Sequence, residues 1–267
     1  MQTTLIRRQY DEIIASRYDF DPQSMIGNTL ERAIGQVERQ LSDDGPLEVL
    51  DVGVGTGRFL EKLRAGRMVE PYGLDISQKM IDIACARIHD LEAAVDDARN
   101  LEGHFRELSF DLACSHFLTG FIPLEVLAPK ICCKLREGGA WSYVGGTLEG
   151  FPVLQRKANT RLIRWLLGIQ KLEASAFVNN PCNDRHVKQT LERTGFEIQE
   201  CETFQPRAAF TDWKEFLEFA YYGGWLTPFI ESLGLHEAGS VTRAVLNRLF
   251  FPMEDHHSIV IALAQKK

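Results

Sequence analysis

The stretch "LEVLDVGVGTGRFL", residues 47–60, decides the fold of this protein. It opens with "LEVLDV" (47–52), a short apolar run that predicts a buried strand, and it ends in the first turn of a helix. Between the two elements lie Gly53, Gly55 and Gly57. Glycines at such a junction let backbone N–H groups at the start of a helix approach a ligand. We therefore expect a ligand against the backbone of this loop.

The rest of the chain continues this alternation of strands and helices. Ser77 is the expected N-cap of the second helix, and "REGG" (136–139) is the expected turn before the fifth strand. The predicted strands are 47–52, 71–76, 91–96, 110–117, 140–146, 196–204 and 258–264, and the predicted helices are 58–66, 77–88, 124–135 and 184–195. This order implies right-handed crossovers, so we predict an α/β fold with a doubly wound, mostly parallel seven-stranded sheet.

Two stretches, 147–182 and 205–255, interrupt the alternation. They follow the carboxyl ends of the fifth and sixth predicted strands, the edge at which doubly wound folds bind ligands. We therefore predict that both are helical cap insertions over an active site. Residues 1–45 are predicted to form an N-terminal helical cover, and residues 1–267 to form one domain.

Composition excludes several classes of partner. Lys and Arg total 30 against 37 Asp and Glu, so the surface offers no general attraction to a polyphosphate chain, and we expect no nucleic-acid partner. No apolar run reaches membrane-spanning length and the N-terminus lacks a leader pattern, which predicts no membrane insertion and a cytoplasmic location. Six cysteines lack C-x-x-C spacing, so we expect no bound metal.

The glycine loop departs from the dinucleotide-binding fingerprint. That fingerprint is G-x-G-x-x-G, whereas here the third glycine comes one position early and Arg58 stands in its place. An NAD site is therefore disfavoured, although an NAD-binding oxidoreductase stays open as an alternative.

The pattern D-V-G-V-G-T-G resembles motif I of the class I S-adenosylmethionine-dependent methyltransferases of the small-molecule type. The resemblance implies S-adenosyl-L-methionine as cofactor and S-adenosyl-L-homocysteine as product, with Gly53, Gly55 and Gly57 against the cofactor. It also implies that Asp51 accepts hydrogen bonds from the cofactor's amino group. Asp75, which closes the second predicted strand in "YGLDIS", would accept from both ribose hydroxyls. Ile76 follows Asp75 in the same predicted site.

Further motifs extend the resemblance. "VDDARNL" is similar to the family's adenine motif, which implies that Asp97 accepts from the exocyclic amine beside Ala98, with Asp96 as the rival carboxylate. "FDLACSHFL" resembles motif IV and adds Ser115 to the predicted cofactor site. "YDEIIASRYD" resembles the N-terminal segment whose tyrosines close over the cofactor, which implies this role for Tyr10 and Tyr18.

Three histidines are candidate catalytic residues. His116 follows the fourth predicted strand near the expected methyl group, and its ordinary pKa range suits proton abstraction from a hydroxyl. Shaping the pocket is an equally good interpretation of His116. His256 and His257 lie in "MEDHH" before the last strand, either as a second base, as a metal pair with Glu254 and Asp255, or as solvated strand-entry residues, which is the favoured interpretation.

Aromatic residues are frequent in the two predicted insertions. They are Phe151, Trp165, Phe177, Phe204, Phe210, Trp213, Phe216, Phe219, Tyr221, Tyr222, Trp225 and Phe229. Some should line a largely apolar pocket, which favours a small, fairly hydrophobic acceptor.

The sequence therefore predicts a methyltransferase of small-molecule or secondary metabolism, acting on oxygen in preference to carbon or nitrogen, as a monomer or homodimer. Two alternatives remain: an S-adenosylmethionine-dependent enzyme that does not transfer methyl, such as a cyclase, and a non-catalytic S-adenosylmethionine-binding protein.

Overall fold

A computed structural model describes residues 3–42, 45–106, 109–167, 171, 173, 175 and 178–267. Its main sheet has seven strands in the order β3-β2-β1-β4-β5-β9-β6. These strands are β1 Leu47–Val52, β2 Val69–Asp75, β3 Glu92–Val95, β4 Phe110–His116, β5 Leu135–Gly146, β6 Phe196–Phe204 and β9 Ile259–Lys266. β9 runs antiparallel to β5 and β6, whereas β1 to β5 pair in parallel. The predicted doubly wound, mostly parallel sheet is confirmed.

Helices cover both faces of this sheet. Val49 packs into one hydrophobic cluster and its neighbour Leu50 into the other, because successive side chains of a strand face opposite sides. The cluster around Val49 includes side chains of α2 Met25–Gln40, α3 Arg58–Arg64 and α4 Gln78–Arg87. The cluster around Leu50 includes side chains of α5 Leu124–Lys134 and α8 Asp184–Arg193.

The order of the strands places a crevice at the glycine loop. From β1 the chain passes to β2 and β3 on one side and then returns to β4 on the other side of β1. The connections after β1 and β4 therefore leave the sheet in opposite directions, and such a point is where doubly wound folds bind ligands.

Additional helices occupy both stretches that interrupt the alternation. Their bounds are α6 Pro152–Ala158, α7 Arg161–Leu167, α9 Trp213–Leu217, α10 Thr227–Ser232 and α11 Ser240–Phe250, with a π-helical turn at Glu218–Tyr222 and a 3-10 turn at Leu235–Glu237. Most of the predicted helical segment beyond residue 167, including Phe177, lies outside the described residues.

A small second ladder was missed by sequence analysis. β7 Arg207–Phe210 pairs antiparallel with β8 Met253–His256, so most of "MEDHH" is a strand and not a loop. Strands of four residues that pair with a partner over 40 residues away have no local signal, because their stability comes from the partner.

The predicted turn 136–139 was also placed differently. β5 begins at Leu135, and its register with β4 shifts between the pairs Phe110–Leu135 and Leu112–Ala140. The four residues "REGG" therefore form a bulge within the strand, with Gly138 at a φ of 75°.

The N-terminal region has two parts. α1 Thr3–Gln9 and the π-helical turn Tyr10–Ile14 lie across the strand ends, whereas α2 packs on the sheet face against β5 and β9. Among the residues that the structure describes, no helix combines the length and apolar character needed to cross a bilayer.

Candidate active site

The glycine loop adopts a conformation that other residues rarely tolerate. Gly53, Gly55 and Gly57 have φ angles of 80°, 54° and 78°, in the left-handed region. A Cβ on Gly53 would lie 3.3 Å from a methyl carbon of Leu118, and one on Gly57 would lie 3.2 Å from Ile88 Cδ1. Backbone conformation and packing within the protein thus account for glycine at these two positions. Sequence reasoning had attributed all three to a ligand.

Asp75 lies at the end of β2 beside this loop. Its carboxylate accepts hydrogen bonds from the backbone N–H groups of Gly55 and Ser77, each at 2.9 Å. Burial raises the pKa of Asp75 to about 6, although the hydrogen bonds from Ser77 and Gly55 act in the opposite direction. The backbone therefore holds one face of the carboxylate in place while the side chain lines a cleft. Ser77 is the predicted N-cap, since its Oγ accepts from Met80 N at 3.1 Å.

Asp51 and Arg58 carry unpartnered polar atoms of opposite charge. Asp51 is 2% exposed, and its Oδ1 has no hydrogen-bond partner among the described residues. Burial and then the nearby Asp75 raise the pKa of Asp51 to about 7. Nη1 of Arg58 is also buried without a partner in the part of the chain that the structure describes. Asp51 lies near Asp75, but neither Asp51 nor Arg58 is among the residues that line the cleft at Asp75.

Asp97 and Asp96 lie at the end of β3. Asp97 Oδ2 accepts from Thr3 Oγ1 at 3.0 Å and from Arg99 at 2.7 Å. Asp96 instead pairs with His104 Nε2 at 2.8 Å. Both carboxylates and Ala98 line the cleft. Because its Oδ2 bonds to Thr3 of α1, Asp97 connects the cleft to the N-terminal segment.

The N-terminal segment closes the cleft. Tyr10 and Tyr18 are partly buried with ring centroids 6.5 Å apart, and loss of solvent raises the pKa of both phenols. Asp11 accepts from Ser77 Oγ at 2.5 Å, and Asp19 accepts from Thr56 Oγ1 at 2.7 Å, so acidic side chains anchor the segment on both sides. Both predicted tyrosines line the cleft, and their closure over a cofactor stays a prediction.

We call this space the strand-end cleft, and it has a volume of about 70 Å³. It is lined by Ile6, Tyr10, Tyr18, Gly53, Gly55, Leu74, Asp75, Ile76, Asp96, Asp97, Ala98, Arg99, His116, Phe117, Leu118, Phe121 and Ile122. A nucleoside-sized ligand would need the tyrosines to shift outward. The predicted Ile76 lies in this lining, and its carbonyl accepts from Arg7 Nε at 3.1 Å.

Ser115 does not line the strand-end cleft. Its Oγ accepts from the indole N–H of Trp141 at 3.0 Å. Trp141 belongs to the cluster around Leu50, whereas Val54 of the glycine loop belongs to the cluster around Val49 on the other face of the sheet. Adjacent side chains of a strand alternate, so placing His116 at the cleft directs Ser115 away from it. The structure therefore does not bring the Ser115 side chain to the predicted cofactor site.

His116 lines the cleft but is held by other protein groups. Its Nε2 lies 3.1 Å from Ser142 Oγ, and its ring meets Phe59 edge to face at 4.3 Å between centroids. Burial lowers the pKa of His116 to about 3, so the ring is neutral at physiological pH. These contacts favour the pocket-shaping interpretation, and the role of general base stays a prediction.

A second space, the cap cavity, lies beside the cleft and has a volume of about 390 Å³. Helices of both interrupting stretches line it with apolar side chains that include Phe151, Leu154, Ile163, Trp213, Phe216, Trp225, Leu246 and Phe250. Tyr10, Tyr18, Phe117 and Phe121 line both spaces and form a shared wall. Several of the predicted cap aromatics therefore do line an apolar pocket.

His256 and His257 have different environments. His257 is 6% exposed and lines the cap cavity, where burial lowers its pKa to about 3. His256 does not line it, and its carbonyl instead accepts from Phe151 N at 2.8 Å. Asp255 accepts from the backbone N–H groups of Val153 and Leu154 at the start of α6. No cluster of three metal-binding side chains occurs among the residues described, so a metal pair at Glu254–His257 has no support.

Comparisons with known proteins agree with this geometry. Residues 49–139 match a family model described as a methyltransferase domain. The chain has a class I methyltransferase fold. No curated protein matches it.

Solved structures share this fold at low identity. YcgJ from Bacillus subtilis is 16% identical with a TM-score of 0.60, over 89% of this chain and 99% of that one. A putative methyltransferase from Bacillus halodurans is 14% identical with a TM-score of 0.58, over 87% and 98%. The [4+2]-cyclase SpnF is 21% identical with a TM-score of 0.51, over 89% and 80%.

Sequence reasoning missed several residues of this methyltransferase fold's two spaces. Phe117 and Phe121 follow β4 and form half of the shared wall, and their signal was their position after the motif IV pattern. Arg58 was noticed only as a departure from another fingerprint. Asn180 lines the cap cavity and had no sequence signal, because it belongs to a stretch without regular structure.

Proposed function

We propose that the protein is an S-adenosylmethionine-dependent methyltransferase that acts on a small, largely apolar organic acceptor, with oxygen as the favoured methylated atom. One observation carries the proposal: a carboxylate-lined cleft at the strand ends shares an aromatic wall with a large apolar cavity. A cofactor in the first space and an acceptor in the second would meet at Tyr10, Tyr18, Phe117 and Phe121.

Residues that line the strand-end cleft, and two charged residues near its Tyr18, fit the cofactor. Asp75 would accept from the ribose hydroxyls, because the backbone N–H groups of Gly55 and Ser77 hold its carboxylate in place. Asp51 and Arg58 would bind the ammonium and carboxylate groups of the methionyl part, which supply the partners that their buried atoms lack. Asp97 would bind the adenine amine beside Ala98. When bound, the cofactor supplies a methyl group on a positively charged sulfur.

The chain contributes alignment and exclusion of water. Methyl transfer from a sulfonium is an in-line displacement, so holding both reactants in one dry space supplies much of the acceleration. The partly buried tyrosines and the shared phenylalanines would exclude water from the junction once both ligands are bound. His116 and His257 are neutral there, since burial lowers the pKa of each to about 3.

The proposal extends to the organisation of the chain. Stretches 147–182 and 205–255 would form the acceptor-binding cap, and α1 with the following turn would cover the cofactor. A cytoplasmic monomer or homodimer of secondary metabolism suits such an enzyme, with neither nucleic acid nor an inserted membrane segment as partner.

A non-methylating reaction is the second candidate. SpnF, named as a [4+2]-cyclase, has this fold, so the fold accommodates a reaction other than methyl transfer. Product analysis with methyl-labelled S-adenosylmethionine distinguishes the two, because only a methyltransferase puts the label into the product.

Calorimetric titration with S-adenosylhomocysteine tests the proposal first, with NAD as the comparison ligand. We expect binding of S-adenosylhomocysteine and none of NAD. Failure to bind S-adenosylhomocysteine would overturn the proposal. Binding without label transfer to any of a panel of phenols and enols would favour the cyclase or a non-catalytic binding protein.

A further inference from the structure

One end of the cap cavity is polar. Gly146, at the end of β5, lacks a side chain, and a Cβ there would lie 2.7 Å from His257 Nε2 and 3.1 Å from Asn180 Nδ2. Two side-chain nitrogens from distant parts of the chain therefore converge on the open side of one glycine. Both residues line the cap cavity.

The position of His257 is closely defined by its surroundings. Phe151 stacks on the imidazole at 4.7 Å between centroids and 15° between planes, and Trp225 meets it edge-on at 5.3 Å. A Cβ on Gly150 would lie 2.1 Å from His257 Nδ1, so only glycine allows the backbone to pass so close. The His257 imidazole is therefore enclosed by two glycines and two aromatic side chains.

The two imidazole nitrogens differ in their surroundings. Nδ1 is buried with no hydrogen-bond partner among the described residues, whereas Nε2 is not among the buried unpartnered atoms. A neutral imidazole has one N–H and one bare nitrogen, and a buried N–H without a partner is rare in proteins. The tautomer with the proton on Nε2 avoids that arrangement, and it makes His257 a hydrogen-bond donor at the Gly146 end of the cavity.

Asn180 is positioned by its neighbours. Asn179 N donates to Gly120 O at 3.0 Å, and Leu148 N donates to Pro181 O at 3.0 Å, so backbone hydrogen bonds hold the chain on both sides of Asn180. Asn180 Oδ1 would lie 3.6 Å from a Cβ on Gly120, and Gly120 adjoins Phe121 of the shared wall. The polar end of the cavity is therefore the end next to the strand-end cleft.

We propose that His257 Nε2 and Asn180 Nδ2 together bind an oxygen atom of the acceptor, which is an apolar, ring-containing molecule with a hydroxyl or carbonyl at one end. The remainder of the molecule lies among the aromatic and aliphatic side chains of the cap. His257 acts here as a positioning residue, not as a base, because protonation would leave an imidazolium N–H unpartnered at Nδ1. That the bound molecule is the methyl acceptor rests on the proposed function, whereas the oxygen-binding pair does not.

Equilibrium dialysis with 2-naphthol and naphthalene tests the pair, with and without S-adenosylhomocysteine. The two probes differ by one oxygen, and the ratio of their affinities is compared between the wild type and each variant, which cancels their difference in hydration. We expect the ratio of naphthol to naphthalene affinity to fall about tenfold in His257→Phe, as for a lost hydrogen bond to a buried group. Asn180→Leu, which keeps the side-chain volume, should lower it about threefold.

His89→Phe is the matched control, because His89 is exposed and lies outside the cap cavity. Thermal melts check that each variant folds, and Asn180→Leu keeps the test available if His257→Phe unfolds. An unchanged ratio in both cavity variants, an equal fall in His89→Phe, or failure of the wild type to bind either probe would overturn the inference. Loss of S-adenosylhomocysteine binding with an intact naphthol preference would instead overturn only the proposed function.

Discussion

The strand-end cleft and the cap cavity share four aromatic side chains, but a carboxyl group of the first and an imidazole of the second respond to acid in opposite directions. In the cleft, burial raises the pKa of Asp75 to about 6, so without a bound ligand the folded state favours the protonated carboxyl more than the unfolded state does. In the cavity, burial lowers the pKa of His257 to about 3, so the folded state favours the neutral ring. Acidification therefore removes the free-energy cost of a buried carboxylate in the cleft, and it adds the free-energy cost of keeping an imidazole neutral in the cavity.

This difference teaches what each space is suited to bind. A buried carboxylate without a partner is an unfavourable feature that a cationic ligand corrects, and Asp51, near Asp75 of the cleft, has a carboxylate oxygen without a partner among the described residues. An apolar cavity with one neutral imidazole makes the desolvation of a charged ligand costly, so it favours an uncharged ligand with one polar atom. The two spaces thus prefer chemically opposite molecules and bring them together at one wall.

The largest expected effect is the loss of cofactor binding in Asp75→Ala. Removal of a carboxylate that receives two ribose hydroxyls should cost about 3 kcal/mol of S-adenosylhomocysteine affinity, or roughly a hundredfold. Naphthalene binding in the cap cavity should not change. Calorimetry measures the first and dialysis the second, with exposed Asp82→Ala as the control. Equal losses for both ligands would show that the two spaces are not separate sites.

His257→Phe should change how stability depends on pH. The folded pKa of His257 lies below its unfolded value of 6.5, so its contribution is complete above pH 6.5 and is lost as the pH falls toward 3. Between pH 6.5 and 5 this loss is roughly 2 kcal/mol in the wild type and absent in the variant. Urea unfolding at pH 7.5 and 5 measures it, and an equally steep acid loss in His257→Phe would contradict the assignment.

Asp51→Asn should remove most of the pH dependence of cofactor affinity, leaving the smaller part that comes from Asp75, whose pKa is raised to about 6. In the wild type the cofactor's ammonium group requires an ionised Asp51, so S-adenosylhomocysteine affinity should fall about tenfold between pH 8 and pH 6. The raised pKa also means that the cofactor-free protein loses stability as the pH rises from 4 to 7. Calorimetric titration with S-adenosylhomocysteine between pH 6 and pH 8 compares the wild type with Asp51→Asn. A flat profile of affinity against pH in the wild type would show that Asp51 does not bind the ammonium group.

The smallest effect should come from the contacts between the N-terminal segment and the cap. Arg17 pairs with Glu218 at 2.8 Å, and both side chains are partly exposed. Exposed ion pairs contribute little, so Arg17→Ala should change S-adenosylhomocysteine affinity by at most about threefold. A larger loss of S-adenosylhomocysteine affinity would mean that the contact between the cap and the N-terminal segment contributes to cofactor binding. The two spaces would then be energetically coupled.

Local motifs were predicted well because their causes are local. β1 has the predicted bounds of 47–52, and the left-handed φ angles of Gly53, Gly55 and Gly57 follow from a tight passage between a strand and a helix. Asp75 and the N-cap Ser77 were placed correctly for the same reason. The side chain of Ser115 lies away from the cleft, on Trp141, because one residue along a strand reverses the direction of the side chain.

Nonlocal features were missed or left undecided. β7 and β8 pair over more than 40 residues of intervening chain, and neither is long enough to show a period. His257 was noticed for its chemistry, but its neighbours Gly146 and Asn180 come from other segments. Only folding brings these groups within a few ångströms of each other.

The sequence by itself determined the sheet, the glycine loop and the acidic residues at the strand ends, because hydrophobic period and backbone conformation act over a few residues. The tertiary structure alone decided that the cap encloses an apolar cavity and that two nitrogens meet at one end of it. Those properties depend on packing among segments distant in the chain, and packing follows from the shapes of all the side chains together.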